Sequence, residues 1–236
     1  MNRSVCALVS GGLDSCVMLG ELARRFDKVY PVFIRKGLVW ESAELRHLKQ
    51  FLRAATPIVA ANLIRGRRRP PRKRFAATIQ PLTILDLPVL DVYGDHWSIT
   101  GRRVPGHKTR DEAVYLPGRN LLLLSKAAVF CAKRGIGTIA LGSLGHNPFP
   151  DATPKFFRGF AVSAGHALGV RLKVIAPFRA LTKEQVIRRG ARLGLPLHLT
   201  FSCIAPQNGR PCRRCNKCAE RERSFAAISS PPGGED

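Results

Sequence analysis

The apolar positions near the N-terminus form a short continuous run followed by a helical repeat. Residues 5–9 are all apolar and end at Ser10-Gly11-Gly12, as a buried strand does when a glycine turn stops it. Behind the turn, apolar residues recur at helical spacing, at Val17, Met18, Leu19, Leu22 and Phe26. Asp14 and Ser15 are available to cap this helix. The pattern predicts a strand, a glycine turn and a helix.

The same alternation continues along much of the chain. It predicts further strands over 29–34, 138–141 and 172–176 and helices over 40–54, 120–133, 153–168 and 182–193. The last helix begins with a capping-box spacing, Thr182 followed by Gln185. Because parallel strands need crossover connections, this order predicts an α/β fold, a parallel twisted sheet with helices on both faces.

Two stretches depart from this alternation. Residues 57–117 contain seven prolines and little periodicity, so we predict an irregular insertion there. The cysteine-rich residues 201–228 differ in kind from what precedes them. The predicted organisation is therefore an α/β domain over 1–200, a small C-terminal subdomain over 201–228 and a disordered tail over 229–236.

Composition and charge narrow the class of protein. The 236 residues are 45% hydrophobic, and 39 Lys and Arg against 16 Asp and Glu give a net charge of +23. This balance is that of a globular chain, and no apolar run reaches the roughly 18 residues that a membrane helix needs. We therefore expect a cytoplasmic protein with no membrane span. The basic surplus favours polyanionic partners, although a general arginine bias explains part of it.

The charge is concentrated in residues 65–74, where seven of ten positions are Lys or Arg around Pro70 and Pro71. Such a run repels itself and predicts a solvated loop. The loop can bind RNA phosphates weakly. An exposed insertion without a specific ligand is the alternative interpretation.

The glycine turn is the first candidate for chemistry. Glycines between a buried strand and a helix let the backbone approach a ligand, and the unpaired amides of a helix N-terminus attract anionic oxygens. The turn therefore indicates a phosphate site, with a plain strand-to-helix turn as the alternative. It is not a Walker A loop, because no Gly-Lys-Ser/Thr follows.

The second candidate is the cysteine quartet Cys203, Cys212, Cys215 and Cys218. Four thiolates at knuckle spacing favour a closed, structural Zn²⁺ site, and an iron–sulfur cluster would use the same ligands. The remaining cysteines, Cys6, Cys16 and Cys131, lie in apolar contexts and are expected in the core.

The hexapeptide from Ser10 to Ser15, SGGLDS, resembles the PP-loop of the N-type ATP pyrophosphatases. Together with the cysteine quartet, Leu116-Pro117-Gly118-Arg119-Asn120 and Phe149-Pro150-Asp151, it resembles the 7-cyano-7-deazaguanine synthase (QueC-like) family. The resemblance implies an adenine nucleotide alpha hydrolase-like fold that binds ATP and Mg²⁺. The implied ATP-binding segment is Leu8, Val9, Ser10, Gly11, Gly12, Leu13, Asp14, Ser15, Cys16, Val17 and Met18.

The resemblance also implies a reaction. Such an enzyme is a carbon–nitrogen ligase that adenylates 7-carboxy-7-deazaguanine and converts it with ammonia to the nitrile, and it is expected to be a homodimer. By the same resemblance, Asp14 and Lys183 would be catalytic, and Arg119, Asn120 and Asp151 would bind the substrate. Helix capping by Arg119-Asn120, a solvated Lys183 and a turn role for Asp151 are the alternatives.

The chain departs from the family pattern after Pro148. The family's Tyr-Pro-Asp-Cys-Arg-Pro-Glu-Phe is replaced by residues 149–156, FPDATPKF, so a QueC-like paralogue acting on a related carboxylate is a variant of this hypothesis. A PP-loop enzyme that modifies tRNA directly and a non-catalytic zinc protein that binds nucleic acid are the alternatives from other classes.

Overall fold

A parallel sheet forms the centre of the protein. The computed structural model describes residues 3–65, 79–145 and 147–229. Within this part, the strands are β1 (Ser4–Leu8), β2 (Lys28–Arg35), β3 (Thr83–Asp86), β4 (Thr138–Ala140) and β5 (Lys173–Ile175). They form one sheet in the order β3-β2-β1-β4-β5, and every pairing is parallel. From β1 the chain builds the sheet first towards one edge, through β2 and β3, and then towards the other, through β4 and β5. Ligands of open α/β sheets bind at such a switch point, here between β1 and β4.

The helices connect the strands and cover the sheet. They are α1 (Leu13–Ala23), α2 (Glu41–Arg65), α3 (Leu90–Tyr93), α4 (Trp97–Thr100), α5 (Arg119–Ala132), α6 (Pro154–Leu168), α7 (Lys183–Arg192) and α8 (Asn216–Ser229). Helix α7 begins with the capping box that the sequence predicts, in which the Thr182 side chain accepts from the Gln185 amide and Gln185 accepts from the Thr182 amide.

Alternate residues of the central strand, β1, pack into two apolar layers, one on each face of the sheet. Val5 and Ala7 of β1 pack with α1, α2 and α7, whereas Cys6 and Leu8 pack with α5 and α6 on the other face. Period-two alternation places neighbouring side chains on opposite faces, so a strand covered on both sides is apolar throughout. The predicted α/β fold is confirmed. Cys6, Cys16 and Cys131 are fully buried, as expected.

The proline-rich segment is more regular than the sequence indicated. Helix α2 continues through Pro57 to Arg65, and β3 and two short helices lie within 57–117. The prediction of an irregular insertion was therefore wrong for these parts, because β3 is a short edge strand whose four residues give too little pattern. Of the predicted basic loop over 65–74, Arg65 ends helix α2 and residues 66–74 lie outside the described residues. Of the predicted tail over 229–236, Ser229 ends α8 and residues 230–236 lie outside the described residues. None of the described helices combines the length and apolarity needed to cross a membrane.

Candidate active site

The loop after β1 holds a backbone conformation that requires glycine. Gly11 has φ +81°, and a Cβ atom on it would lie 2.7 Å from the carbonyl oxygen of Glu44. The amide of Phe201 donates to the Gly11 carbonyl at 2.8 Å. The loop therefore lies directly against α2 on one side and residue 201 on the other, with no space for a side chain.

Two serines stabilise the loop from within. The Ser10 amide donates to Ser15 Oγ at 3.2 Å, the Gly12 amide donates to Ser10 Oγ at 3.3 Å, and Ser15 Oγ donates to the Gly12 carbonyl at 3.0 Å. Gly12 is the N-cap of α1 and neither Asp14 nor Ser15 caps it, which corrects the capping expectation. The first amides of a helix have no intrahelical acceptor, so the start of α1 can donate to an anion.

The segment that follows β4 packs directly against the glycine loop. A Cβ atom on Gly142 would lie 3.1 Å from the amide nitrogen of Ser15, so the segment after β4 passes directly over the helix start. The carboxyl ends of β1 and β4, the two neighbouring strands at the centre of the sheet, thus meet at the same place.

A chain of charges extends from the loop. Lys183 Nζ, at the first position of α7, lies 2.6 Å from Asp14 Oδ2 and 3.1 Å from Glu220 Oε1. Lys217 Nζ lies 2.5 Å from the other oxygen of Glu220. Burial by itself lowers the pKa of Lys183, but the charges of Asp14 and Glu220 outweigh it and raise this pKa to about 12. Lys183 is therefore an ammonium at neutral pH.

One cavity of about 290 Å³ collects most of the predicted site residues. Its lining includes residues from distant parts of the sequence: Ser10, Gly12, Asp14, Ser15, Arg119, Asn120 and Lys183. Cys16, Val17 and Met18 are fully buried in α1 and form core rather than cavity wall. Their assignment to the ATP segment stays a prediction.

Asp151 lies behind the cavity wall and holds Asn120 in place. Its Oδ2 accepts from the Asn120 amide at 2.8 Å and its Oδ1 from Asn120 Nδ2 at 3.2 Å. Within the described part of the chain, Asp151 is not among the residues that line the cavity. The structure thus gives Asp151 a positioning contact, and its predicted contact with substrate stays a prediction.

Sequence reasoning missed a buried charged group at the end of β2. Lys36 Nζ lies 2.7 Å from Glu41 Oε1, and both side chains are 7% exposed. Glu41 Oε2 also accepts from the backbone amides of Lys36 and Gly37. One turn further, Glu44 lines the cavity, and burial raises its pKa to about 8 against the opposing charges of Lys36 and Arg119. The signal available was their place at the carboxyl end of a parallel strand.

Arg119 also contributes an unused donor. Its Nε is buried and has no hydrogen-bond partner among the described residues, and the residue lines the cavity. A guanidinium in a cavity wall that keeps one buried N–H unpaired is suited to an anionic ligand.

The four cysteines of the quartet form a metal-type cluster. Their Sγ atoms lie within 4.8 Å of one another. Four thiolates around Zn²⁺ at about 2.3 Å stand a little under 4 Å apart, so this spacing fits the ion. The amides of Ala205 and Cys212 donate to Cys203 Sγ at 3.4 and 3.3 Å, which stabilises thiolate charge.

The cluster is continuous with the cavity wall. Cys203, Cys215 and Cys218 belong to a third apolar cluster that includes Trp40 and Phe201, and both of these residues line the cavity. Trp40 stacks on Trp97 with ring centroids 5.5 Å apart. The segment of the quartet also contacts the loop that follows α4, because the backbone amide of Asn216 donates to the carbonyl oxygen of Pro105 at 2.9 Å.

The departures from the family pattern fall mostly outside the cavity. Ala152 is 1% exposed, Thr153 caps α6 by accepting from the Phe156 amide, and Lys155 is exposed. Of the departures within 149–155, Phe149 is the one that lines the cavity, and its ring packs on Tyr115 at 4.8 Å.

Two solved structures match this chain at low sequence identity and with TM-scores below 0.5. A 4-thiouridine synthetase solved in complex with RNA and with bound ATP is 15% identical and covers 96% of this chain and 50% of that chain, with a TM-score of 0.48. A predicted subunit of tRNA methyltransferase from Methanocaldococcus jannaschii is 11% identical and covers 84% of this chain, with a TM-score of 0.42.

Sequence comparison is more specific. The 7-cyano-7-deazaguanine synthase 1 of Desulfitobacterium hafniense is 30% identical over 226 residues, which are 94% of this chain and 91% of that protein. The 7-cyano-7-deazaguanine synthase of Marinobacter nauticus is 30% identical over 235 residues, covering 96% of this chain and 94% of that protein. The family model described as "Queuosine biosynthesis protein QueC" matches residues 4–229. The chain therefore belongs to the QueC family.

Proposed function

We propose that this chain is an ATP-dependent 7-cyano-7-deazaguanine synthase that makes the nitrile from 7-carboxy-7-deazaguanine and ammonia. The observation that supports this most directly is that the glycine loop, Lys183, Arg119 and Asn120 line the same cavity. It combines donors suited to phosphate with donors suited to a carboxylate. The relatives named as such synthases match almost the full length of this chain.

The proposed chemistry follows from the poor reactivity of a carboxylate. Its oxygen attacks the α-phosphorus of ATP, pyrophosphate leaves, and the resulting acyl adenylate has AMP as a good leaving group. Ammonia then displaces AMP to give the amide. A second adenylation, on the amide oxygen, releases pyrophosphate and one N–H proton. AMP and the remaining N–H proton then leave, and the C≡N bond forms. The protein's tasks are positioning and charge stabilisation.

We assign the phosphate end of ATP to the glycine loop and the start of α1. Ser10 and Ser15 hold the loop in shape before any ligand binds, which reduces the ordering that binding requires. Lys183 stabilises phosphate charge, since its ammonium lies at the loop and stays protonated. Asp14 Oδ1 is buried without a hydrogen-bond partner in the described residues, so this oxygen fits Mg²⁺ bound to the phosphates, where the ion neutralises charge.

We assign the part of the cavity wall formed by Arg119 and Asn120 to the deazaguanine carboxylate. The unpaired Nε of Arg119 can donate to that carboxylate, and Asn120 is oriented beside it by Asp151. In this arrangement Asp151 acts through Asn120. The alternative that Arg119 and Asn120 merely begin helix α5 does not account for a buried guanidinium N–H left unpaired.

We assign Zn²⁺ to the cysteine quartet. A site with four thiolates has no open coordination position, so the ion would stabilise the C-terminal fold and take no part in the reaction. The quartet packs against Trp40 and Phe201, so this fold supports the cavity wall.

The function is tested by incubating the purified protein with ATP, Mg²⁺, ammonium and 7-carboxy-7-deazaguanine, without RNA. We expect the nitrile by mass spectrometry, with AMP and pyrophosphate. Omitting ammonium should leave adenylation and abolish nitrile. Pyrophosphate release without nitrile would favour a paralogue that acts on a related carboxylate, and release only with added tRNA would favour a tRNA-modifying enzyme. The homodimer and RNA binding through 65–74 stay predictions.

A further inference from the structure

The segment that carries the cysteine quartet also places a lysine in the candidate active site. Lys217 lies between two of the metal-type ligands, Cys215 and Cys218, yet its side chain lines the same cavity as the glycine loop. One short segment at the start of α8 therefore belongs both to the cysteine quartet and to the cavity wall.

Glu220 links this lysine to Lys183. One carboxylate oxygen lies 3.1 Å from Lys183 Nζ and the other lies 2.5 Å from Lys217 Nζ. The three side chains are 17 to 29% exposed, so they are partly removed from water but open to the cavity. Glu220 thus fixes two ammonium groups on one carboxylate, side by side.

The two ammonium groups keep donors available for a ligand. Each ammonium has three N–H donors. In the described contacts, Lys183 uses two of them, on Asp14 and Glu220, and Lys217 uses one, on Glu220. The two carboxylates balance the two lysines, so the group is close to neutral before a polyanion enters. A pair of neighbouring cations with free donors matches an anion with several adjacent oxygens, such as pyrophosphate.

We propose that Lys217 is a second phosphate-binding cation of the ATP site, and that Glu220 positions it beside Lys183 to bind the pyrophosphate end of the nucleotide. This inference rests on the proposed ATP-dependent function. It gives the cysteine quartet a further role, because the metal site determines where Lys217 lies.

The alternative is that Lys217 and Glu220 form an ion pair with a purely structural effect. The two interpretations differ in what the lysine does for ligands that have or lack the terminal phosphates. If the pair is structural, loss of Lys217 should weaken the binding of AMP and of pyrophosphate alike. If Lys217 binds pyrophosphate, its loss should weaken only the binding of pyrophosphate.

The test compares Lys217→Gln with Arg214→Gln, a matched loss of one positive charge on an exposed residue of the same segment. Binding of inorganic pyrophosphate in the presence of Mg²⁺, and of AMP, is measured by calorimetry on full-length protein with its zinc content determined. Losing a charged hydrogen-bonding group predicts about tenfold weaker pyrophosphate binding for Lys217→Gln. We expect AMP binding by Lys217→Gln, and both affinities of Arg214→Gln, to stay within about twofold of wild type.

A further variant separates charge from folding. Lys217→Arg keeps the positive charge and should retain most of the pyrophosphate affinity. Three results would each overturn the inference. Lys217→Arg could lose as much pyrophosphate affinity as Lys217→Gln, or Lys217→Gln could lose as much AMP affinity as pyrophosphate affinity. The third is unchanged pyrophosphate binding by zinc-loaded Lys217→Gln. If wild-type protein binds neither ATP nor pyrophosphate, the proposed function itself fails, which is a different result.

Discussion

Lys183 and Asp14 are 169 positions apart, yet Lys183 Nζ lies 2.6 Å from Asp14 Oδ2. Asp14 is in the first turn of α1 and Lys183 is the first residue of α7, and these two helices pack against each other on one face of the sheet. The contact therefore joins the N-terminal ends of two helices, where the peptide dipoles favour anions. The ion pair orients the lysine towards the loop at which an anion would bind.

Asp14→Asn tests the role of this carboxylate. The amide has nearly the same shape but cannot neutralise Lys183 or bind Mg²⁺ as a carboxylate does. We expect kcat/KM for pyrophosphate release to fall at least about 100-fold. Asp91→Asn, at an exposed residue outside the cavity, is the control and should behave like wild type. Activity of Asp14→Asn within about tenfold of wild type would contradict the assignment.

Gly11→Ala tests the close packing of the loop. The new Cβ atom would be strained by the φ of +81° and would lie 2.7 Å from the Glu44 carbonyl oxygen. We expect the free energy of unfolding to fall by about 2–4 kcal/mol. Gly135→Ala is the matched control, because Gly135 has φ +64° but no atom lies within 4 Å of the added Cβ. This variant measures backbone strain alone, and we expect it to lower the free energy of unfolding by about 1 kcal/mol. Chemical denaturation of both variants checks the difference, and equal losses would show that the contact with α2 is unimportant.

Glu44 should make stability depend on pH. Its pKa is raised by burial from 4.5 to about 8, so between these values the folded protein keeps a proton that the unfolded chain releases. The free energy of unfolding should therefore fall as pH rises through this window, by at most about 1.4 kcal/mol per pH unit. Glu44→Gln stays neutral and should show a flatter dependence in urea unfolding. Glu112→Gln, at an exposed position, should keep the wild-type slope, and an unchanged slope in Glu44→Gln would disprove the assignment.

Removing zinc should be visible in tryptophan fluorescence. Both tryptophans of the chain, Trp40 and Trp97, belong to the apolar cluster that contains the cysteines. We expect chelation or Cys215→Ser to abolish zinc binding and shift the emission to longer wavelength, because the stacked indoles lose their packing. Cys131→Ser alters a buried thiol in a different cluster and should retain the metal. Unchanged emission after metal loss would show that the quartet does not support the cavity wall.

The local features of the fold and site could be predicted because their chemistry lies in contiguous residues. The strand before the glycine turn, the capping box at Thr182 and Gln185, and the cysteine quartet each need only a few neighbouring positions to be recognised. The edge strand Thr83–Asp86 could not be predicted from its pattern, because it is four residues long and no residue of it is fully buried.

The sequence by itself determined the α/β class, the glycine loop and the metal-type ligands, since hydrophobic period and residue spacing are properties of the chain alone. Only the tertiary structure decided that Lys36, Glu44 and Lys217 face the same cavity as that loop. It also decided that Asp151 holds Asn120 in place. The physical reason is that burial, ion pairing and cavity lining depend on which ends of distant elements meet, and here they meet at the carboxyl edge of the parallel sheet.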